Sequence, residues 1–276
     1  MKASITETAF EPELNSFGGK ASIIFPILNE IYKMGDSEFK PFCIEVLELI
    51  KKQEKELTAK DWLSGIEGMI PLLVDASTLL EDKSYFDLAN RFVDRIVRTD
   101  LPKAIGLGHG LSGIALSVFK VYEKTKRAKY RKFIEKALDL EDDLIQNGNN
   151  VEDSWCWGLT GVALARIEMN SLLKRNNSLL FEKFMNRIYS MMKKDDSICH
   201  GNAGELELLL QYQTLDSEAS KVINEKISDI LKHQQLDGRY AVGYLPQFLS
   251  LSLFTGVSGI GYQFLRILYP STLTKL

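Results

Sequence analysis

The sequence has 276 residues, of which 45% are hydrophobic and 26% are charged, a composition typical of a folded globular protein. The formal charge of -3 offers no basic surface for nucleic acid. No apolar run approaches the roughly 20 residues that span a bilayer. The N-terminus MKASITETAFEPELN lacks an apolar segment and is not a secretory signal. Three cysteines do not make a disulfide framework, which favours a cytoplasmic protein with reduced thiols.

Apolar residues recur with helical spacing along nearly the whole chain. Charged residues fill the positions between them, as in helices that bury one face. The clearest segments are FCIEVLELIKKQEKEL (42–57), YFDLANRFVDRIV (85–97) and YRKFIEKALDLEDDLI (130–145). No long stretch alternates with a period of two, and no linker interrupts the chain. The sequence therefore predicts a single all-α domain.

A G-x-x-G step followed by an apolar run is repeated along the chain. The leading glycines lie 46, 45, 48, 43 and 55 residues apart, an interval that accommodates two helices and two loops. We expect the apolar helix after each step to be an inner helix and the charged segments to be outer helices. The copies begin at Gly65, Gly110, Gly158, Gly201 and Gly256, with a weaker one at Gly18-Gly19.

The glycine steps predict where functional residues gather. The second glycine of each step is expected to let a helix approach its neighbour closely, since it has no Cβ. The loops before the inner helices should all lie at one end of a ring. The residues that precede the leading glycines would therefore converge, and they include Asp61, His109, Cys156, Cys199 and His200.

Three of these residues have the chemistry of a metal site. Cys156, Cys199 and His200 offer two thiolates and one imidazole, which suit zinc and leave one position open, as in catalytic sites. Cys43 lies inside an amphipathic segment with no partner motif and is expected to be a small buried residue. His233, in LKHQQLDG, is interpreted as a surface or loop histidine.

Each of the two remaining residues has two possible roles. His109 is either a hydrogen-bonded histidine at a helix start or a group that transfers protons near the metal, since imidazole titrates near neutral pH. Asp61 is either a residue resembling an N-cap before a glycine turn or a partner in that proton transfer.

At SWCWG, ICHGNAG and GLGHGLSG the sequence resembles the lanthionine synthetase C-like cyclases. It is most similar to the C-terminal cyclase domain of class II (LanM-type) lanthipeptide synthetases, from about Phe17 to the C-terminus. The resemblance implies an α/α toroid, of which six helical hairpins are seen where the family usually has seven. Residues 1–276 are then one toroid domain that lacks its first hairpin, with 1–16 as an N-terminal lead-in.

The resemblance also implies a function. The family's zinc ligands fall on Cys156, Cys199 and His200, its acid/base histidine on His109 and its catalytic aspartate on Asp61. The expected activity is bacterial, cytoplasmic lanthipeptide biosynthesis, in which a zinc enzyme adds a cysteine thiolate to dehydroalanine or dehydrobutyrine and forms a thioether ring. The partners would be a dehydrated, cysteine-containing precursor peptide and a separate dehydratase domain or chain.

Two other functions stay open at this point. The chain could be an inactive zinc-containing peptide-binding module, or the remnant of a split class II synthetase. It could also join glutathione to dehydroamino acids. Turnover of a dehydrated peptide, with its own cysteine or with glutathione as the thiol, distinguishes these readings.

Overall fold

The computed structural model describes residues 14–16, 19–22, 24, 27–28, 38–148, 151–190, 193–212, 219–242 and 250–269. These residues contain helices and no strand, and they belong to two compact units, Met1–Gly148 and Asn149–Leu276. The helices whose bounds are described in the first unit are α1 (Lys40–Lys52), α2 (Met69–Leu79), α3 (Lys83–Ile96), α4 (Leu111–Thr125) and α5 (Ala128–Asn147), and residues 20–22, 24 and 27–28 are helical too. Those of the second are α6 (Leu159–Leu173), α7 (Ser178–Ser190), α8 (Asn202–Tyr212), α9 (Ala219–Asp237) and α10 (Val257–Leu268).

Two kinds of helix alternate in both units, as the repeat predicts. The inner helices α2, α4, α6 and α8 bury residues on nearly every side. The outer helices bury one face, which in α3 consists of residues spaced three or four apart. In the first unit α2 packs against α3 and α4, and in the second α8 packs against α6, α9 and α10. The inner helices α2 and α8 therefore have partners on more than one side.

The inner helix α8 carries buried charge that its sequence, ELELLLQY, does not suggest. Glu205 is paired with Lys226 of α9, and both side chains are almost fully buried. Glu207 is paired with Arg266 of α10 and accepts a hydrogen bond from Gln263 at 2.9 Å. A buried charge is costly unless it is paired, so these partners stabilise a helix that would otherwise bury two bare carboxylates.

The first outer helix is shorter than its periodicity suggests. The pattern predicts a helix over 42–57, but α1 ends at Lys52. Arg95 of α3 donates to the carbonyl oxygens of Glu54 and Leu57. A side chain from outside thus satisfies carbonyls beyond the end of α1, and the chain turns there instead of continuing as a helix.

The second glycines of the repeat pack closely, but the sequence predicts close approach to a neighbouring helix and the contact is instead with the loop before the glycine's own helix. A Cβ on Gly204 would lie 2.1 Å from the carbonyl oxygen of Ile198, and one on Gly113 would lie 2.0 Å from that of Leu107. In each case the carbonyl oxygen belongs to the loop before the helix that carries the glycine. These glycines therefore let each inner helix press against the loop that precedes it.

Replacing Gly204 with alanine should destabilise the protein, because backbone would have to move to admit the methyl group. Overpacking of this kind costs about 1–3 kcal/mol. Gly261 in α10 is a matched control, since a Cβ there meets nothing within 4 Å. Gly261→Ala should stabilise the protein by up to about 1 kcal/mol, the difference in helix propensity. Denaturant unfolding of both variants tests the contrast, and equal effects would contradict it.

Several predictions fall outside the described residues or are not tested by them. The lead-in 1–16 is described only at Leu14–Ser16, and the weak glycine step is described only at Gly19. The single toroid domain and its missing first hairpin stay predictions. Across the described ranges, no helix combines the length and apolar character needed to cross a bilayer.

Candidate metal centre and histidine–aspartate pair

The loops before three inner helices lie side by side in the second unit. Trp155, before α6, donates its backbone N–H to the carbonyl oxygen of Cys199, before α8, at 2.8 Å. Cys199 in turn donates its backbone N–H to the carbonyl oxygen of Phe254, before α10, at 2.8 Å. The rings of Trp155 and Phe254 contact each other with centroids 4.8 Å apart. In this unit the loops converge as the repeat predicts.

The convergence of these loops brings together three side chains of types that can bind a metal ion. The Sγ atoms of Cys156 and Cys199 lie 3.2 Å apart, and His200 Nε2 lies 3.5 Å from the first and 4.0 Å from the second. Both cysteines are buried, whereas His200 is half-buried. Among the described residues this is the one group of three or more histidine, cysteine or acidic side chains close enough to hold a metal.

The spacing and chemistry of these donors fit zinc. Tetrahedral bonds of about 2.3 Å to sulfur and about 2.1 Å to nitrogen place donor atoms roughly 3.5–3.8 Å apart. The observed spacings of 3.2 to 4.0 Å bracket that range. Two sulfurs and one imidazole make a soft donor set, and three protein ligands leave a fourth position for another molecule.

The cluster favours one thiolate even without a metal. The thiol of Cys199 donates to Cys156, and this hydrogen bond, with the one to His200, holds the pKa of Cys156 well below its ordinary value. The same hydrogen bond and burial raise the pKa of Cys199. The hydrogen bond to Cys156 also raises the pKa of His200. One sulfur thus tends to be a thiolate, the form that binds metal.

Asp61 and His109 form a pair in the first unit. His109 Nδ1 lies 2.9 Å from Asp61 Oδ2, and both side chains are partly exposed. Burial raises the pKa of the Asp61 carboxyl, but hydrogen bonds from His109 and Ser64 outweigh it and leave that pKa below its ordinary value. An ionised Asp61 accepts a hydrogen bond from Nδ1–H and so favours the imidazole tautomer with its proton on Nδ1.

Asp61 contacts both its own turn and His109, whereas a role in proton transfer stays a prediction. Its Oδ1 accepts from the backbone N–H of Ser64 at 2.7 Å and from the Ser64 hydroxyl at 2.8 Å, as a residue resembling an N-cap does. Its Oδ2 is the atom that contacts His109. One carboxylate therefore shapes its own turn and orients the histidine.

The other two thiol and imidazole residues lie elsewhere. Cys43 is fully buried in α1, as expected, and burial raises its pKa to about 11. His233 lies in α9 rather than in a loop, and its side chain is partly exposed, in agreement with a surface histidine. Its Nδ1 lies 2.9 Å from Oδ2 of Asp196, a fully buried residue. Nothing near His233 in the sequence indicates this partner, which is 37 residues away.

Glu67 is a buried carboxyl in the segment that follows Asp61. It is 2% exposed, and its Oε2 accepts from the backbone N–H of Lys60 at 3.1 Å. Burial is the main reason that its pKa is raised to about 7, and the nearby charge of Asp61 adds to the effect. No pattern in the sequence indicates this group, since a lone glutamate in a loop is usually exposed.

Glu67 should make the protein less stable as pH rises. Its folded pKa of about 7 exceeds the ordinary 4.5, so the folded state holds the proton more tightly than the unfolded state. Ionisation of Glu67 alone should lower the free energy of unfolding by about 3 kcal/mol between pH 4.5 and a pH above 8. Glu67→Gln should remove that fall, measured by denaturant unfolding at both pH values.

The control for this prediction is Glu45→Gln, at an exposed position of α1. It should leave the pH dependence of the unfolding free energy as in the wild type. If Glu67→Gln also leaves it unchanged, the carboxyl of Glu67 is not protonated preferentially in the folded protein.

Comparison with known proteins finds both a family and a fold. The family model for "Lanthionine synthetase C-like protein" matches residues 1–276. The solved structure of nisin cyclase is similar to this chain with a TM-score of 0.74, over 98% of this chain and 80% of that chain, at 16% sequence identity. No curated protein matches the sequence. The likeness confirms the predicted all-α toroid class, whereas the class II branch, bacterial origin and cytoplasmic location stay predictions.

Proposed function

Since the chain belongs to the lanthionine synthetase C-like family, we propose that it closes thioether rings in a peptide. A cysteine thiol of the substrate adds to dehydroalanine or dehydrobutyrine in the same peptide. A carbon–sulfur bond forms at the β-carbon, the carbon–carbon π bond breaks, and the thiol proton is replaced by a proton on the α-carbon. No atom is lost, so the reaction needs no oxidant and no second substrate.

The observation that carries this proposal is the cluster of Cys156, Cys199 and His200, with donor atoms 3.2 to 4.0 Å apart. We propose that these three side chains hold a zinc ion. Zinc, when bound, supplies positive charge that keeps a thiol deprotonated near neutral pH, although a free thiol has a pKa of about 8.5. The protein contributes two buried sulfurs and one half-buried imidazole.

His109 is proposed as the acid/base group. Asp61 orients the ring through Nδ1 at 2.9 Å, and Nε2 is proposed as the nitrogen that takes up and delivers protons. His109 would accept the thiol proton and return one to the α-carbon. The Asp61 carboxylate stabilises the imidazolium that exists between those two transfers. Because the thiol and the alkene belong to one peptide, their effective concentration is high, and this also accelerates the addition.

The substrate implied by this chemistry is a peptide that already contains dehydro residues. We therefore propose that a separate dehydratase domain or chain acts before this protein. The dehydrated, cysteine-containing precursor peptide is then its partner.

The test is to incubate zinc-loaded protein with a peptide that contains one dehydroalanine and one cysteine. Ring closure leaves the mass unchanged but removes the thiol, so alkylation followed by mass spectrometry measures it. The wild type should consume the thiol much faster than a blank or the Cys156→Ala variant. Zinc and peptide binding without thiol loss would identify a binding module instead.

A second arm of the assay uses a dehydrated peptide without cysteine and supplies glutathione. The proposal expects no glutathione adduct above the blank. A catalysed increase in mass by one glutathione would assign the activity to addition of free thiols.

A further inference from the structure

Four of the outer helices, α3, α5, α7 and α9, share a polar position that recurs at a constant interval. Arg95 in α3, Glu141 in α5, Arg187 in α7 and His233 in α9 are each 46 residues from the next. The four side chains differ in chemistry, so they do not form a visible sequence motif. Each of them nevertheless hydrogen bonds to the segment that leads into, or surrounds, one of the proposed site residues.

We call these four residues, spaced 46 apart, the 46-residue register. Its two members in the first unit hold the segments around Asp61 and His109. Arg95 Nη1 donates to the carbonyl oxygen of Glu54 at 2.8 Å, and Nη2 donates to that of Leu57, just before Asp61. The buried Glu141 accepts at Oε1 from the backbone N–H of Gly106 at 3.2 Å and of Ser112 at 3.0 Å. His109 lies between those two donors in the chain.

In the second unit the other two members hold the segments before the metal donors. Arg187 Nη2 lies 3.2 Å from Asp153 Oδ2, and its Nη1 donates to the carbonyl oxygen of Val151 at 3.3 Å. This segment leads to Cys156. His233 Nδ1 contacts Oδ2 of Asp196, three residues before Cys199, at 2.9 Å.

Asp196 connects His233 to the loop that carries Cys199 and His200. Its Oδ1 accepts from Asn202 Nδ2 at 2.9 Å, and Asn202 is the first residue of α8. Its Oδ2 also accepts from the backbone N–H of Ala241 at 3.1 Å, and its own N–H donates to the Ala241 carbonyl at 2.6 Å. The segment with Cys199 and His200 is thus fixed at both ends by one buried carboxylate.

We propose that the four register side chains are positioning residues, each for one loop that presents a site residue, and that His233 sets zinc affinity through Asp196. The inference rests on the proposed zinc assignment. The hydrogen bond of His233 is made to Asp196 and not to a donor atom, so its proposed action is to hold Asp196 and, through it, the loop. Partners outside the ligand shell commonly change metal affinity by 10–100-fold when they are lost.

The donor position on residue 233 distinguishes positioning from general packing. An asparagine amide nitrogen lies where His Nδ1 lies, whereas the glutamine nitrogen extends to the Nε2 position. His233→Asn should therefore keep the hydrogen bond to Asp196, and His233→Gln should misplace it. His233→Ala removes it. The matched control is Gln234→Ala, the next and exposed residue of α9.

The experiment measures the zinc dissociation constant by competition with a chromogenic chelator and the unfolding free energy of the metal-free proteins. We expect His233→Ala and His233→Gln to bind zinc about tenfold more weakly than the wild type. His233→Asn should stay within about twofold, and Gln234→Ala should match the wild type. If the alanine variant does not fold, the asparagine–glutamine pair decides the question.

Zinc affinity equal to the wild type in His233→Gln and His233→Ala would overturn the inference while leaving the zinc assignment intact. Equal weakening in His233→Asn and His233→Gln would also overturn it, since the donor position would then be irrelevant. Failure of the wild type itself to bind zinc would overturn the assignment as well as the inference. The two failures are therefore distinguishable.

Discussion

Cys156→Ala is expected to lose most of the zinc that the wild type carries, about one ion per chain. The substitution removes one of two sulfurs from the cluster, and the remaining sulfur and imidazole are too few for a tight zinc site. Affinity should fall by more than about 100-fold, beyond what loss of an outer partner produces. Metal analysis after dialysis against a weak chelator measures the change.

Cys43→Ala is the matched control for that loss. Cys43 is also a buried cysteine, but it lies in α1 of the first unit among apolar residues. Its removal should leave zinc unchanged and cost only the packing of one small side chain. Equal zinc in the two variants would defeat the assignment of Cys156 as a ligand.

His109→Asn should keep its zinc and lower the rate of ring closure by about 10²–10⁴-fold, the usual contribution of a general acid/base. The asparagine amide can still donate to Asp61, so the geometry of the pair is preserved while the titrating group is lost. The thiol-loss assay measures the rate, and metal analysis measures the zinc. Asp61→Asn should lower the rate as well, because the amide cannot stabilise the imidazolium as the carboxylate does.

Two results would contradict the role of His109. Loss of zinc in His109→Asn would make it a ligand or a structural support rather than an acid/base. An unchanged rate with zinc retained would show that the proton reaches the α-carbon without it. Neither result would bear on Cys156, Cys199 or His200.

The inner helices and their loops could be predicted because their signals are local. A glycine step before an apolar run marks each inner helix, and the structure has α2, α4, α6, α8 and α10 at those positions. Cysteine and histidine are rare in this chain, so their recurrence before the leading glycines indicates a common site.

The polar supports could not be predicted because their partners are distant in sequence. Glu205 and Lys226 are buried together, yet each alone looks like an ordinary exposed charge in a helix. Asp196 and His233 are 37 residues apart and belong to different elements. The 46-residue register that connects His233 to Glu141 joins different residue types, and periodicity of hydrophobicity does not reveal it.

The end of α1 illustrates the same limit. Its sequence continues to favour a helix beyond Lys52, and helix propensity is only a weak guide where tertiary contacts compete. Arg95, more than 35 residues later, binds the carbonyl oxygens of Glu54 and Leu57. The segment that leads to Asp61 is therefore shaped by a side chain that no local pattern points to.

X-ray absorption at the zinc edge of the purified wild-type protein tests the central claim most directly. The account predicts a first shell with two sulfur ligands from Cys156 and Cys199 at about 2.3 Å and at least one imidazole nitrogen at about 2.0–2.1 Å. One zinc per chain with this shell would place the metal on the three proposed donors. A shell of nitrogen and oxygen without sulfur, or no bound zinc at all, would contradict the account.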